Sequence, residues 1–388
     1  MYGEFIVYLI VIFGTINIVR IMFFMVGSDI YGLIQQSKRR QAKKYKRLPS
    51  FTVVIPAHNE ENTILSSLKS VTSANYPQNQ LQIIVVDDGS TDRTVALLEA
   101  YQQEHGLPNL QIIQQQNAGK ARALNNAMIN HARGDLVMCL DADSSIEPDA
   151  LRNAARYFED TRIVALSSNV KIRNTGTIFN LIQRFEYLIC YQMKRAQTVF
   201  NVEYIVGGIG STFRRSALKK VGFYDTDTIT EDIDLTMKLL ELGNLNNRAI
   251  YGSDVITHTE SVLDIRGLIR QRYRWKYGRS QTFFKHYKMF FSTDKRFSKL
   301  LTWVYLPFAI FSDLAFLFEP LMVSYIFYTV IRYHDLVTML SAFGVISVYI
   351  IMNILAEDTL TWKERGKLVL IAPSMYFFFY LLSFVEYI

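Results

Sequence analysis

The chain has 388 residues, 50% of them hydrophobic and 13% aromatic, with a formal net charge of +7. That suits a large core, or a soluble domain joined to membrane spans. Two cysteines and six scattered histidines exclude a disulfide framework and a Cys/His zinc site, and no internal repeat is present.

Residues 5–27 are almost wholly apolar, broken by Arg20, and about 20 such residues span a bilayer. The stretch lacks the basic start and the small-residue cleavage site of a signal peptide. Lys38-Arg-Arg-Gln-Ala-Lys-Lys-Tyr-Lys-Arg47 follows. By the positive-inside rule that end is cytoplasmic and Met1 lies outside. The basic cluster thus reads as a topology signal beside anionic lipid and not as a nucleic-acid patch. Arg20 either snorkels or faces a polar cavity.

From residue 51 to 174, strand and helix patterns alternate. Phe51–Pro56, Leu81–Asp88, Leu110–Gln114 and residues 161–173 read as strands. Glu60–Thr72, a Ser- or Thr-capped segment after Gly89–Asp92, and Ala118–Ala132 read as helices. Short connections between them predict a doubly wound, mostly parallel sheet. Its centre is Leu136-Val-Met-Cys-Leu-Asp-Ala-Asp143, a run apolar enough to be covered on both faces. Cys139 in this strand and Cys190 further on read as buried small hydrophobes.

In such sheets the ligand crevice lies at the carboxyl ends of the strands. Asp87-Asp88 and Asp141–Asp143 both end strands there. Asp141 and Asp143 share one parity, so they can share a hard divalent cation such as Mg²⁺; ordinary turn chemistry is the alternative. Between them, Asn117-Ala-Gly-Lys120 opens a helix carrying Lys120 and Arg122, which is either an anion site or a solvated face. Acids for a metal and bases for phosphates in one cleft suggest a nucleotide-diphosphate substrate.

Val206-Gly-Gly-Ile-Gly-Ser-Thr-Phe213 is rich enough in glycine for a ligand to approach the backbone. Thr228-Ile-Thr-Glu-Asp232 opens a further helix, where Thr228 and Glu231 form a capping box on the plainest reading. In the helical stretch 262–284, Gln271, Arg274 and Trp275 share one face, with Arg270, Arg272 and Lys276 on the others. Residues 301–330, 335–356 and 368–388 are apolar. Placing every basic loop inside requires one crossing by 301–330, which leaves the C-terminus outside.

Asp87-Asp88-Gly-Ser90, Asn117-Ala-Gly-Lys120, Asp141-Ala-Asp143, Thr230-Glu-Asp232 and Gln271-Arg-Tyr-Arg-Trp275, in this order, resemble the motifs of membrane-embedded processive family 2 glycosyltransferases. These include cellulose, hyaluronan, chitin-oligosaccharide and poly-N-acetylglucosamine synthases. The resemblance covers about residues 51–280, and 171–232 is most similar to the poly-β-1,6-N-acetylglucosamine synthases. It implies an α/β fold: a GT-A-like doubly wound mixed sheet in the cytoplasm, flanked by α-helical transmembrane segments of the plasma membrane. The divisions expected are an N-terminal transmembrane helix (1–34), a basic linker (35–50), the transferase domain (51–282), an amphipathic interfacial segment (283–300) and a C-terminal region of about three spans (301–388).

The roles implied are these. Asp88 contacts the uracil, and Asp141 lies near the uridine sugar and phosphates. Asp143 ligates Mg²⁺ or Mn²⁺, and Lys120, Gln271 and Arg274 hold the nucleotide-sugar. Asp232 is the general base, with Glu231 beside it in the catalytic pair. Trp275 lies beneath the acceptor sugar, and Phe213 and Gly210 border it. The expected partners are a UDP-sugar, UDP-N-acetylglucosamine foremost, a growing polysaccharide or lipid-linked acceptor and the bilayer, with room for a small membrane accessory subunit and no nucleic acid. The expected product is a β-linked extracellular polysaccharide passed through the protein's own channel. The competing readings are transfer of a single sugar to a lipid, and a catalytically silent nucleotide-binding scaffold.

Overall fold

A computed structural model describes residues 2–41, 48–173, 176–262, 264–316, 319–333, 336–357, 359–375 and 378. The chain begins with α1 (Tyr2–Gln41). Then come β1 (Phe51–Ala57), α2 (Ile64–Thr72), β2 (Leu81–Asp87), α3 (Thr94–His105), β3 (Leu110–Gln114), α4 (Lys120–Asn126) and β4 (Leu136–Cys139). A short β5 (Ser145–Ile146), α5 (Ala150–Tyr157), β6 (Ile163–Ile172), α6 (Ile178–Phe200), β7 (Ser211–Arg214), α7 (Arg215–Val221), α8 (Glu231–Glu241), β8 (Arg248–Thr259) and α9 (Ile265–Lys285) complete the α/β body.

The strands form one sheet in the order β3-β2-β1-β4-β7-β6-β8-β5. β3, β2, β1 and β4 are parallel. β7 runs antiparallel to both β4 and β6, which makes the sheet mixed. Strand alternation explains the continuous apolar runs. Phe51, Val53, Ile55, Ile83, Val85, Leu136 and Met138 face one core, whereas Val54, Ile84, Val86, Val137 and Cys139 face the other.

Three local expectations change. α2 begins at Ile64, after a turn closed by Thr63 Oγ1 on Glu60 Oε2 at 2.6 Å. α3 is started by Asp92, whose Oδ1 accepts the Thr94 N–H at 2.9 Å, and not by a Ser or Thr side chain. Cys190 is exposed, while Cys139 is buried.

α1 is one continuous helix that runs past the expected end of the span and into the basic cluster. Its Tyr31 is 1% exposed and donates to the Tyr251 carbonyl of β8 at 2.9 Å, docking the helix on the sheet. Beyond the body lie α10 (Leu306–Phe316), α11 (Glu319–Tyr333), α12 (Leu336–Leu355) and α13 (Trp362–Ile371). Residues 301–316 are helical throughout, with a π-type first turn over Leu300–Tyr305, and residues 317–318 lie outside the described residues. Pro307 lies two residues past the π-type turn of that helix. Among the described residues one helical segment, Ile18–Ser37, is long and apolar enough to cross a membrane; Leu300–Leu314 and Phe343–Leu355 are shorter. Of the three expected C-terminal spans, the second coincides with the 20-residue helix α12, and residues 317–318, 376–377 and 379–388 of the first and last lie outside the described residues.

The loop between α12 and α13 folds back onto the body. Glu357, 1% exposed, meets Lys171 Nζ of β6 at 3.1 Å and Arg195 Nη2 of α6 at 3.2 Å.

Candidate active site

A cavity of about 1040 Å³ opens at the carboxyl ends of β4 and β6 and is roofed by α6 and α9. Asp141, Asp143, Lys120, Glu231, Asp232, Gln271, Arg274 and Trp275 all line it. Eight of the eleven residues singled out above thus share one space, although they come from four segments of the chain.

β4 delivers Asp141 and Asp143 at its end. Lys120, the first residue of α4, reaches across and places Nζ 2.5 Å from Asp141 Oδ1 and 3.8 Å from Glu231 Oε1. Burial works against the Lys120 charge, but Asp141 and Glu231 more than offset it and raise its pKa above that of an ordinary lysine. Gly208 makes this approach feasible: a Cβ there would lie 3.2 Å from Lys120 Nζ and 3.8 Å from Asp232 Oδ2.

Glu231 and Asp232 form the first turn of α8. The expected capping box is absent. Thr230 holds the cap position without a side-chain bond, and Thr228 Oγ1 is buried with no partner. Glu231 is therefore turned toward Lys120 and not spent on the helix end. Asp232 Oδ1 accepts the Ile233 N–H at 2.9 Å. The Asp232 carbonyl accepts from Thr236 Oγ1, which in turn accepts the Val206 N–H, so the glycine-rich loop is tied to α8. Burial raises the proton affinity of both acids; Asp232 adds like-charge repulsion to Glu231, and Lys120 partly opposes the rise in each. A carboxylate made more basic than usual, on the cavity wall, is suited to taking a proton.

Asp143 is raised by burial and then by neighbouring Asp141, and it accepts from Ser144 Oγ at 2.8 Å. Two carboxylates that disfavour each other's charge, with hard oxygen donors turned into a cavity, fit a divalent cation of the Mg²⁺ or Mn²⁺ type. A second acidic group, Asp225, Asp227 and Asp234, gathers its oxygens within 4.8 Å of one another. Its centre is taken by the Lys285 ammonium, 2.7, 2.7 and 3.0 Å from the three carboxylates. Asp234, fully buried on α8, also accepts from His286 Nε2 at 2.8 Å, while His286 Nδ1 meets Glu241 at 2.8 Å. That group joins α8 to the end of α9.

Three expected residues stand elsewhere. Asp88 is 5% exposed and does not line the cavity. Its carboxylate accepts the N–H groups of Ala118 and Gly119 at 2.9 and 2.8 Å and Gln115 Nε2 at 2.8 Å, fixing the turn from which Lys120 starts. Phe213 does not border the cavity: its place on β7 turns it into the core, fully buried and edge-on to Tyr224. Gly210 is likewise a packing residue. It has φ +63°, and a Cβ there would strike Thr257 Cγ2 at 2.4 Å. Gly207, Gly208 and Ile209 reach the cavity in their place.

Other residues were missed. Arg272, expected on an outer face, is 5% exposed and lines the cavity together with Glu186 of α6. Gly278 of α9 packs on Thr230. Only the mixture of basic and aromatic residues along 271–279, with the single Gly278, hinted at a helix packed on more than one side.

Residues 52–222 match the family described as Glycosyl transferase family 2. The chain is 29% identical over 363 residues to a poly-beta-1,6-N-acetyl-D-glucosamine synthase of Staphylococcus epidermidis, covering 90% of this chain and 85% of that protein. It is 32% identical over 280 residues to the synthase of the same name from Staphylococcus aureus, covering 71% and 65%. A solved mannosyltransferase from Pyrobaculum calidifontis, in complex with GDP-Man and Mn²⁺, superposes with a TM-score of 0.56 at 20% identity over 95% of this chain and 96% of that one, which establishes a shared GT-A-like fold. The matched stretch includes Lys120, Asp141 and Asp143, and the chain is a family 2 glycosyltransferase, a hexosyltransferase related to the poly-β-1,6-N-acetyl-D-glucosamine synthases.

Proposed function

We propose that the protein transfers a sugar from a UDP-sugar, N-acetylglucosamine foremost, to the hydroxyl of a growing glycan, with inversion at the anomeric carbon. The observation that carries this reading is the Lys120 ammonium, which links the strand-end acid Asp141 to the Glu231–Asp232 pair across one cavity. The cavity, about 1040 Å³, is at the upper end of the usual ligand pocket range of roughly 300–1,000 Å³, which suits a donor and an acceptor together.

Lys120 and Arg274 neutralise charge on the departing diphosphate. Asp232 Oδ2 accepts the acceptor's proton as its oxygen attacks the anomeric carbon; Oδ1 is already held by the Ile233 N–H, which fixes the orientation. Asp143, with Asp141 beside it, would hold a Mg²⁺ or Mn²⁺ ion whose positive charge favours diphosphate departure. One displacement needs no second nucleophile, and an α-linked donor gives a β linkage.

Processive extension and export through the helical region belong to the same reading. Supporting it, Arg279 lines the cavity and its guanidinium pairs with Asp313 of α10, so the first C-terminal helix abuts the reaction space. Exposed Phe284, Tyr287, Phe291 and Trp303 give residues 283–303 an apolar outer face fit for a membrane surface. With α1 spanning and the basic cluster inside, the catalytic body lies in the cytoplasm.

The test is UDP release by detergent-solubilised protein with Mg²⁺ or Mn²⁺ over a panel of UDP-sugars, beside Asp232→Asn, with sizing of the product. Turnover of one donor that is lost in the variant supports the reading. A product carrying one sugar on lipid would remove processivity, and UDP binding without turnover in the presence of acceptor would remove catalysis.

A further inference from the structure

α6 was assigned no part in the chemistry, yet it holds the acceptor-side helix by two side chains one turn apart. Gln183 donates from Nε2 to Gln271 Oε1 at 3.0 Å and accepts the Val262 N–H at 2.9 Å. Glu186, three residues on, takes both terminal nitrogens of Arg272, one of them at 2.5 Å. The same guanidinium lies over the Trp275 ring, 4.7 Å from its centroid. Arg272 is 5% exposed, so this stack is largely withdrawn from water.

A bidentate carboxylate fixes the plane of a guanidinium, and a fixed guanidinium over an indole restrains the ring that it covers. A sugar also recognises an indole by lying flat on one face. With one face of Trp275 backed by Arg272, an acceptor sugar has the opposite face, and therefore one orientation of its attacking hydroxyl.

We propose that Glu186 is a positioning residue that acts through Arg272 to set the Trp275 ring as a one-sided platform for the terminal sugar of the acceptor. The proposal rests on the reading that the Trp275 side of the cavity receives the acceptor. It concerns acceptor recognition and leaves donor binding at Asp141, Asp143 and Lys120 untouched.

The chain has three tryptophans, so replacing Trp303 and Trp362 by Phe in the full-length protein leaves Trp275 as the only indole. In that background, Glu186→Gln, Trp275→Ala and the exchange of Glu186→Arg with Arg272→Glu are compared. The readouts are kcat and KM for a short β-linked N-acetylglucosamine oligosaccharide, UDP affinity, and quenching of Trp275 fluorescence by the oligosaccharide. Trp275→Ala is scored on kinetics alone. Expected are an acceptor KM raised about tenfold by Glu186→Gln, an unchanged UDP affinity, a kcat within about threefold, weaker quenching, and partial recovery in the charge exchange. If Trp275→Ala raises the acceptor KM and Glu186→Gln does not, the inference falls and the platform stands. If Trp275→Ala leaves the acceptor KM unchanged, the acceptor reading itself falls. A Glu186→Gln variant that loses UDP affinity in step with kcat would show a merely structural role and overturn the proposal.

Discussion

Gly278 of α9 lies directly against Thr230: a Cβ on Gly278 would stand 2.4 Å from Thr230 Oγ1 and 2.5 Å from its Cγ2. Thr230 immediately precedes Glu231 and Asp232, so this contact sets how closely α9 approaches the acids. One methyl group there forces α9 and the start of α8 apart. Overpacking of this kind costs about 1–3 kcal/mol. Gly278→Ala is expected to lower the melting temperature modestly and to reduce UDP release at least about tenfold, since misplacement by about 1 Å is enough for a loss of that order or more. A thermal melt read beside turnover checks it; full activity would show that the two helices can part without consequence.

Asp232 and Glu231 make the rate depend on pH in a defined direction. As the proposed base Asp232 must be deprotonated to act, and its proton affinity is raised above the ordinary aspartate value of 3.8. The acid limb of the kcat profile is therefore expected above that value, with activity rising as pH increases through it. Glu231→Gln removes a like charge from the pair and is expected to move that limb to lower pH. Asp232→Asn is expected to lose about 10²–10⁴-fold in kcat. Profiles of UDP release from pH 4 to 9 distinguish these outcomes.

Asp143 is raised by burial and by Asp141 when no cation is at hand, and a divalent ion would relieve both. Chelation is expected to stop UDP release, and Mn²⁺ or Mg²⁺ to restore it. Asp143→Asn is expected to weaken metal-dependent UDP binding about tenfold or more while leaving the fold intact. Calorimetric titration of UDP with and without Mn²⁺ reads this directly.

His286 has a carboxylate at each ring nitrogen, which calls for both nitrogens to carry hydrogen. Burial opposes its charge, but bonds to Asp234 and Glu241 raise its pKa from 6.5 to about 9. The folded value exceeds the unfolded one, so the stabilisation is complete below pH 6.5 and is lost as pH rises through about 9. A shift of this size is worth roughly 3 kcal/mol at most. Denaturation of the wild type from pH 6 to 10 is expected to show that fall, and His286→Gln to flatten it.

Much of this site was legible because the chemistry sits where local patterns end. An apolar run closing on Asp141 and Asp143, and a glycine opening a helix at Lys120, each report their own place along the chain. What could not be read were contacts set by distant packing. β7 enters the sheet between β4 and β6, and only that insertion sends Phe213 inward and Gly210 against Thr257. Arg272 follows Gln271 by one residue, so on a helix with one buried face it belongs outside. α6 covers that second face, and nothing near Arg272 in sequence announces it. The capping box failed for the opposite reason: its pattern was present, but Lys120, arriving from more than a hundred residues away, offered Glu231 a stronger partner.

Glu357 has a mechanical consequence. Removing one member of a buried ion pair typically costs about 3–5 kcal/mol, and Glu357 has two cationic partners, one on β6 and one on α6. The loop that carries it is in effect riveted to the catalytic body. Rocking of α12 and α13 that broke both pairs would strand that carboxylate and meet a cost of this order. The adjoining ends of α12 and α13 and the catalytic body are thereby pinned at one point, which couples any shift of that loop to β6 and α6.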